Sequence, residues 1–270
     1  MRIALLQAAA TPLDVAANLA TLRESAATAR DEGAALILTP ELFVSGYAPR
    51  ELAEWLTPER VAGIPADVAG IARDTGIAVA ASFPLARADG TFAIAAGLWD
   101  AAGTEVLRYE KVHLWGSDER LAFTPGAAAP GVAEWSGRQV GFQICYDIEF
   151  PEPARTLAAR GADLLLVPTA IDGTSSYVPE LLIRARAAEN ALVVAYADHP
   201  ASAADGADPA DSFAGLSTVA GREGRVLAAA GAAAELLFAE LPEVGPIRSG
   251  QADYLADRRP ELYASWNSGR

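Results

Sequence analysis

Short apolar runs alternate along this chain with segments whose apolar residues recur at helical spacing. Residues 3–8 are mostly apolar, as expected of a buried strand. Asn18 is placed to cap a helix that carries Leu19, Leu22, Ala26 and Ala29 on one face and stops at Gly33. Residues 35–39 read as a second buried strand, 58–75 as one helix closed by Gly76, and 77–83 as a third strand. Asp89-Gly90 predicts a hairpin into 92–99, and Ala101-Ala102-Gly103 turns that strand into 105–114. Ser136-Gly137 precedes a strand over 139–145. A helix follows from Pro151, where proline suits the first position, to Gly161. Beyond it come a strand at 162–167, a helix at 178–190 and a strand at 191–197. The segments 213–219, 226–230 and 235–241 read as antiparallel strands around 221–224. The tail from Ile247 is polar and predicts an irregular arm over a neighbour, whereas the Ala-, Asp- and Gly-rich stretch 200–209 predicts a mobile loop. Strand–helix–strand alternation with hairpins between gives an α/β class: one layered domain with a mixed sheet system under helices. No fixed-period repeat and no linker divides it.

Composition narrows the partners. The 270 residues are 51% apolar, enough for a large core, and 21 Lys and Arg against 35 Asp and Glu leave a formal charge of −14. So acidic a surface excludes a polyanion-binding role, because nucleic-acid affinity rests on basic groups. An anionic membrane repels it too. No stretch approaches the roughly 20 apolar residues of a spanning helix, and the opening apolar run breaks early at Thr11-Pro12, too short for a secretory signal. With one cysteine, no internal disulfide can form. The expectation is a cytoplasmic protein that binds a neutral or cationic small molecule.

Chemistry-capable residues fall after strands. Glu41 follows the 35–39 strand, Lys111 lies late in 105–114, and Cys145 ends 139–145. Sites in layered α/β folds gather beyond the carboxyl ends of strands, so a carboxylate, an ammonium and a thiol can meet in one pocket. A nearby cation lowers a thiol pKa from about 8.5. Glu41 is a candidate base for Cys145, and Lys111 with the backbone N–H of Tyr146 a candidate oxyanion site. Each residue also has a plainer reading, as core cysteine, solvated lysine or loop glutamate. Tyr47, Trp115, Tyr146 and Phe150 are candidate pocket walls, and Glu149 or Asp147 a candidate holder of a substrate ammonium. Of the two histidines, His113 shares the strand face of Lys111 and reads as a supporting residue. Ser45 lacks the Gly-x-Ser-x-Gly elbow, no Gly-rich phosphate loop is present, and Cys and His are too few for a zinc site. Arg184, Arg186 and Glu189 read as helix ion pairs.

Three stretches carry a family resemblance: Pro40-Glu41-Leu42-Phe43-Val44-Ser45-Gly46-Tyr47, Tyr109-Glu110-Lys111-Val112-His113-Leu114, and Cys145-Tyr146-Asp147-Ile148-Glu149-Phe150-Pro151-Glu152. With Glu119–Gly126, Arg184–Asn190 and the tail around Tyr254–Tyr263, they make the chain resemble the nitrilase superfamily of carbon–nitrogen hydrolases along its whole length. Within it, the chain is most similar to bacterial aliphatic amidases of the 5-aminopentanamidase type. The Cys145–Glu152 stretch and Val167-Pro168-Thr169-Ala170 carry that likeness. The resemblance implies a four-layer α-β-β-α sandwich over 1–245, and an arm at 246–270 that packs on the partner of a homodimer or higher oligomer. It implies a Glu41–Lys111–Cys145 triad, with Glu119 as a second glutamate that positions substrate. Thr169 and Ala170 join Tyr47, Trp115, Glu149 and Phe150 as substrate-binding residues. The activity implied is hydrolysis of a small aliphatic carboxamide, an ω-amino amide among the candidates, through a Cys thioester, with no cofactor and no metal. The alternatives are an N-carbamoyl-amine hydrolase, a nitrilase, and a catalytically silent binding relative. Two positions depart from the family pattern: Arg222 stands where proline is common, and Asp198 where asparagine is common.

Overall fold

The structure, a computed structural model, describes residues 1–201, 208, 210, 212–245 and 253–266. Its strands are β1 (Arg2–Gln7), β2 (Leu36–Leu38), β3 (Ala78–Ala86), β4 (Phe92–Trp99), β5 (Glu105–Glu110), β6 (Val132–Trp135), β7 (Arg138–Phe142), β8 (Leu164–Pro168), β9 (Val193–Ala197), β10 (Thr218–Ala220), β11 (Val226–Ala229) and β12 (Glu235–Glu240). They form two six-stranded sheets, ordered β12-β1-β2-β3-β4-β5 and β11-β10-β9-β8-β7-β6. The centre of each sheet is parallel (β1, β2 and β3 in one, β7, β8 and β9 in the other), and antiparallel strands complete the edges. The helices are α1 (Val15–Asp31), α2 (Pro49–Trp55), α3 (Pro58–Val61), α4 (Ile64–Thr75), α5 (Gly116–Ala122), α6 (Pro151–Ala159), α7 (Ile183–Asn190) and α8 (Pro260–Trp266).

Side-chain alternation along each strand sorts residues between layers. In β1, Ile3 and Leu5 face the second sheet and meet Val140, Phe142, Leu164, Leu166, Val193 and Ala195 in the inter-sheet core. Ala4 and Leu6 face the other way, under α1 and α4, with Leu22, Ala26, Val68 and Ile71. On the far side, Leu165, Val167 and Val194 bury against Leu157, Ile183 and Ala187 of α6 and α7. The single domain is therefore a four-layer α-β-β-α sandwich, the architecture the family resemblance implies.

Several elements differ from the sequence expectation. The first helix is capped by Asp14, whose Oδ1 accepts from Ala17 N at 3.0 Å, and not by Asn18. Asn18 lies one turn inside, buried, and its amide ties Thr11 to the Val44 carbonyl. The helix expected over 58–75 splits into α3 and α4, because Pro65 has no N–H for the Val61 carbonyl and its ring would crowd that group. Helices α2 and α5, seven residues each, are too short to show a period and are absent from the elements the sequence predicts. Strand β6 is an addition. The helix expected over 178–190 opens with π-type turns at Val178–Leu182 before α7. Strand β12 does not stay with β10 and β11 but crosses to pair with β1. The tail is not wholly irregular, since it holds α8. Most of the 200–209 loop lies outside the described residues, as do 246–252 and 267–270.

Candidate active site

Two sequence boundaries move at the site, and both carry chemistry. Strand β5 stops at Glu110, so Lys111 and His113 stand beyond it rather than on a common strand face. Lys111 is still pinned on both sides: its N–H donates to Ile94 O at 2.9 Å and its carbonyl accepts from Gly126 at 2.7 Å. Strand β7 stops at Phe142, and Cys145 opens a 3-10 turn, Cys145–Glu149, with φ +46°. A non-glycine residue in the left-handed region is strained, and such strain persists only where the surroundings enforce it. Glu41 sits just after β2, its N–H donating to Thr169 O at 3.0 Å and its carbonyl facing His199 Nε2 at 2.8 Å. Both partners follow strands of the second sheet, β8 and β9, so the backbone of Glu41 is stitched across the sandwich.

The side chains converge in the interior. Lys111 Nζ donates to Glu41 Oε1 at 2.7 Å and to both oxygens of Glu119 at 2.8 and 2.9 Å. Glu41, Lys111 and Glu119 have no exposed surface, and Cys145 is 7% exposed. Glu119 also accepts from the Tyr47 hydroxyl and the Trp115 N–H, each at 2.8 Å. Glu41 Oε2 has no partner of full hydrogen-bond geometry, and the Cys145 thiol interacts with the same carboxyl. The Ala170 N–H is directed at the sulfur. Tyr146 N–H donates to no described group, as an oxyanion donor must be free to do.

One ammonium between two buried carboxylates leaves an excess negative charge in a poorly solvated place. Burial, only partly offset by Lys111, pushes the Glu41 carboxyl up to about 8. The Cys145 thiol is also driven well up, by burial first and by Glu41 next, with Lys111 opposing. The expectation that the lysine would lower the thiol pKa is thus corrected: burial and Glu41 outweigh Lys111, and at rest the sulfur keeps its proton. Lys111 is held charged, since the carboxylates outweigh the burial that would lower its pKa.

A cavity of about 490 Å³ opens above the thiol. Tyr47, Trp115, Cys145, Tyr146, Glu149 and Ala170 line it, together with Asp172, Tyr177 and Phe213, which sequence reasoning missed. Nothing local marks those three; the π-type segment and the isolated Asp172–Phe213 bridge bring them in. Phe150 lies elsewhere, lining the neighbouring cavity and stacked on His113 at 4.1 Å. Thr169 is fully buried behind the wall, where its carbonyl holds Glu41. Asp147 faces His113 and Tyr109 instead of the cavity. Asp198 is buried and holds the Ile171 and His199 N–H groups. Arg186 pairs with Glu189 as expected, and in addition clasps the Ile148 and Glu149 carbonyls at 2.9 and 2.7 Å, bracing the turn after Cys145.

Comparison with known proteins shows the family. The family model for carbon-nitrogen hydrolases matches residues 2–248. An amidase from Nesterenkonia sp. is 43% identical over 98% of this chain and 96% of its own, with a TM-score of 0.89. A variant of the Nesterenkonia sp. AN1 amidase shows covalent addition of the acetamide moiety of fluoroacetamide at its active site cysteine. An (R)-stereoselective amidase from Pseudomonas sp is 34% identical over 96% of this chain and 92% of that protein. The N-carbamoylputrescine amidase of Solanum tuberosum is 30% identical over 97% of this chain and 93% of that protein. The chain belongs to the carbon–nitrogen hydrolase family and is a hydrolase of carbon–nitrogen bonds other than peptide bonds.

Proposed function

We propose that this hydrolase converts a small aliphatic carboxamide to its acid and ammonia, with Cys145 as nucleophile. The observation that carries the reading is the buried Glu41–Lys111–Glu119 cluster beside the only thiol, at the floor of an open cavity. Glu41 takes the Cys145 proton as Sγ attacks the amide carbon. The Tyr146 N–H and the Lys111 charge stabilise the oxyanion. Glu41 then protonates the departing nitrogen, ammonia leaves, and a thioester remains. Water gives its proton to Glu41 and attacks that thioester; the acid departs and the sulfur regains a proton. Glu119, held by Lys111, Tyr47 and the Trp115 N–H, keeps the ammonium in place and shapes the wall over which the substrate lies.

Among the described residues that line the cavity, Glu149 and Asp172 are acidic and none is Lys or Arg, which supports an ω-amino amide over an acidic one. Exposed Leu181, Tyr254, Leu262 and Trp266 support a homodimer or higher oligomer in which 246–270 packs on the partner of a 1–245 hydrolase unit. No helix among the described residues is long and apolar enough to cross a membrane, which fits the cytoplasmic setting we propose.

The test is ammonia release from a panel of neutral and ω-amino amides, N-carbamoyl amines and nitriles, with intact-mass detection of an acyl adduct on Cys145. Cys145→Ala is expected to lose on the order of 10⁴-fold or more in kcat, the scale seen when a nucleophile is removed. An Ala variant as active as the parent would falsify the mechanism. Turnover confined to N-carbamoyl compounds would replace the amide by the carbamoyl reading.

A further inference from the structure

Cys145 and Lys111 come from different sheets, and one carboxylate joins the backbones beside them. Asp147 is fully buried, and its two oxygens face four donor groups. Oδ1 accepts from the His113 N–H at 2.9 Å and faces His113 Nδ1 at 2.8 Å. Oδ2 accepts from the Tyr109 hydroxyl at 2.8 Å and from the Ile144 N–H at 3.2 Å. Tyr109 and His113 each lie two residues from Lys111, one on either side. Ile144 immediately precedes Cys145, whose φ is +46°. Strain at that residue must be held by its neighbours, and the Asp147–Ile144 bond is the side-chain tie on its N-terminal side.

We propose that Asp147 is a positioning residue that clamps the Lys111 segment to the nucleophile turn, setting the ammonium–sulfur distance and the aim of the Tyr146 N–H. The proposal rests on the reading of Cys145 as nucleophile. It has a sharp chemical consequence. In Asp147→Asn one oxygen becomes an NH₂ of the same shape. Whichever way the amide turns, that NH₂ meets a backbone N–H, of Ile144 in one orientation and of His113 in the other. One end of the clamp therefore opens in an otherwise isosteric side chain. Reactive groups displaced by about 1 Å lose on the order of 10²-fold in rate.

The experiment measures kcat and KM for an accepted amide in the parent, Asp147→Asn, Tyr109→Phe and Cys145→Ala, and the pH dependence of Cys145 alkylation by iodoacetamide in the first three. Asp147→Asn is expected to lose about 10- to 100-fold in kcat with KM changed by less than about threefold. Its alkylation midpoint moves to higher pH, because the thiolate loses its approach to Lys111. Tyr109→Phe, which removes only one hydroxyl, gives smaller changes in the same direction and carries the test if the Asn variant does not fold. A lowered melting temperature alone would move neither the alkylation midpoint nor kcat measured well below melting. Parent-like kcat and alkylation profiles in the folded variants overturn the clamp. Parent-like activity in Cys145→Ala overturns the nucleophile reading instead.

Discussion

In the proposed cycle Glu41 is a base with no exposed surface, buried beside another carboxylate, Glu119. Its carboxyl, pushed by burial to about 8, carries a proton at neutral pH and cannot accept the Cys145 proton until it loses its own. The sign follows directly: a raised carboxylate pKa means that the competent base form appears as pH rises. For a neutral amide, kcat/KM is expected to climb about tenfold per pH unit below about 8 and to level off above it. The thiol pKa lies higher still, so a falling limb belongs to more alkaline conditions. A pH–rate profile in free enzyme checks this, and a profile flat from about pH 6 to 9 contradicts it. A protonation state near its tipping point is the useful condition, since one carboxyl must both accept and return a proton in each half of the reaction.

At the scale of elements, the site depends on close approaches that only glycine permits. Gly46, just before Tyr47, has φ +75°, and a Cβ there would sit 2.6 Å from Pro12 Cα, a backbone atom with no freedom to retreat. Gly141 in β7 faces a softer obstacle: its Cβ would meet Leu157 Cδ2 of α6 at 2.6 Å, the mobile end of a side chain. Gly141→Ala is therefore an overpacking change costing about 1–3 kcal/mol. Gly46→Ala adds backbone strain to a hard collision and is expected to cost more. At about 2–4 °C per kcal/mol for a chain of this size, thermal unfolding resolves the order, and an equal or reversed order rejects the argument. Because Gly46 leads directly into Tyr47, whose hydroxyl holds Glu119, Gly46→Ala should also lower kcat.

At the scale of the molecule, the proposed mechanism requires two sheets to hold a fixed relation, since Glu41 and Lys111 follow strands of one and Cys145 a strand of the other. Apolar packing fills the gap but slides easily; polar ties fix the register. Gln7, buried at the end of β1, donates to the Gly231 and Ala233 carbonyls and accepts from the Ser217 N–H at 2.9 Å, gripping the segments on either side of the β10–β11 hairpin. Ser217 in turn accepts from the Asp198 N–H, next to the His199 ring that holds Glu41. Gln7→Leu preserves bulk but strands the Ser217 N–H, at a cost of about 1–3 kcal/mol. Denaturant unfolding of that variant is expected to show the loss at an unchanged m-value; parent-like stability removes Gln7 from this role.

The strand pattern and the layered α/β class were legible in the sequence, because two-residue alternation and helical spacing record which face of each element is buried. The family motifs identified Glu41, Lys111 and Cys145 together. What stayed hidden depends on contacts between distant segments. Short helices such as α5 carry too few residues for a period, and β12 carries no local mark of which sheet it joins. Asp172, Tyr177 and Phe213 become cavity walls only when their loops meet. Above all, sequence placed a cation near a thiol and so implied a lowered thiol pKa. Tertiary structure decided otherwise: it buried the thiol with two carboxylates around one ammonium, and the cost of excess negative charge away from water keeps the proton on the sulfur. The sequence by itself determined which groups could react; enclosure between the two sheets decided their charge.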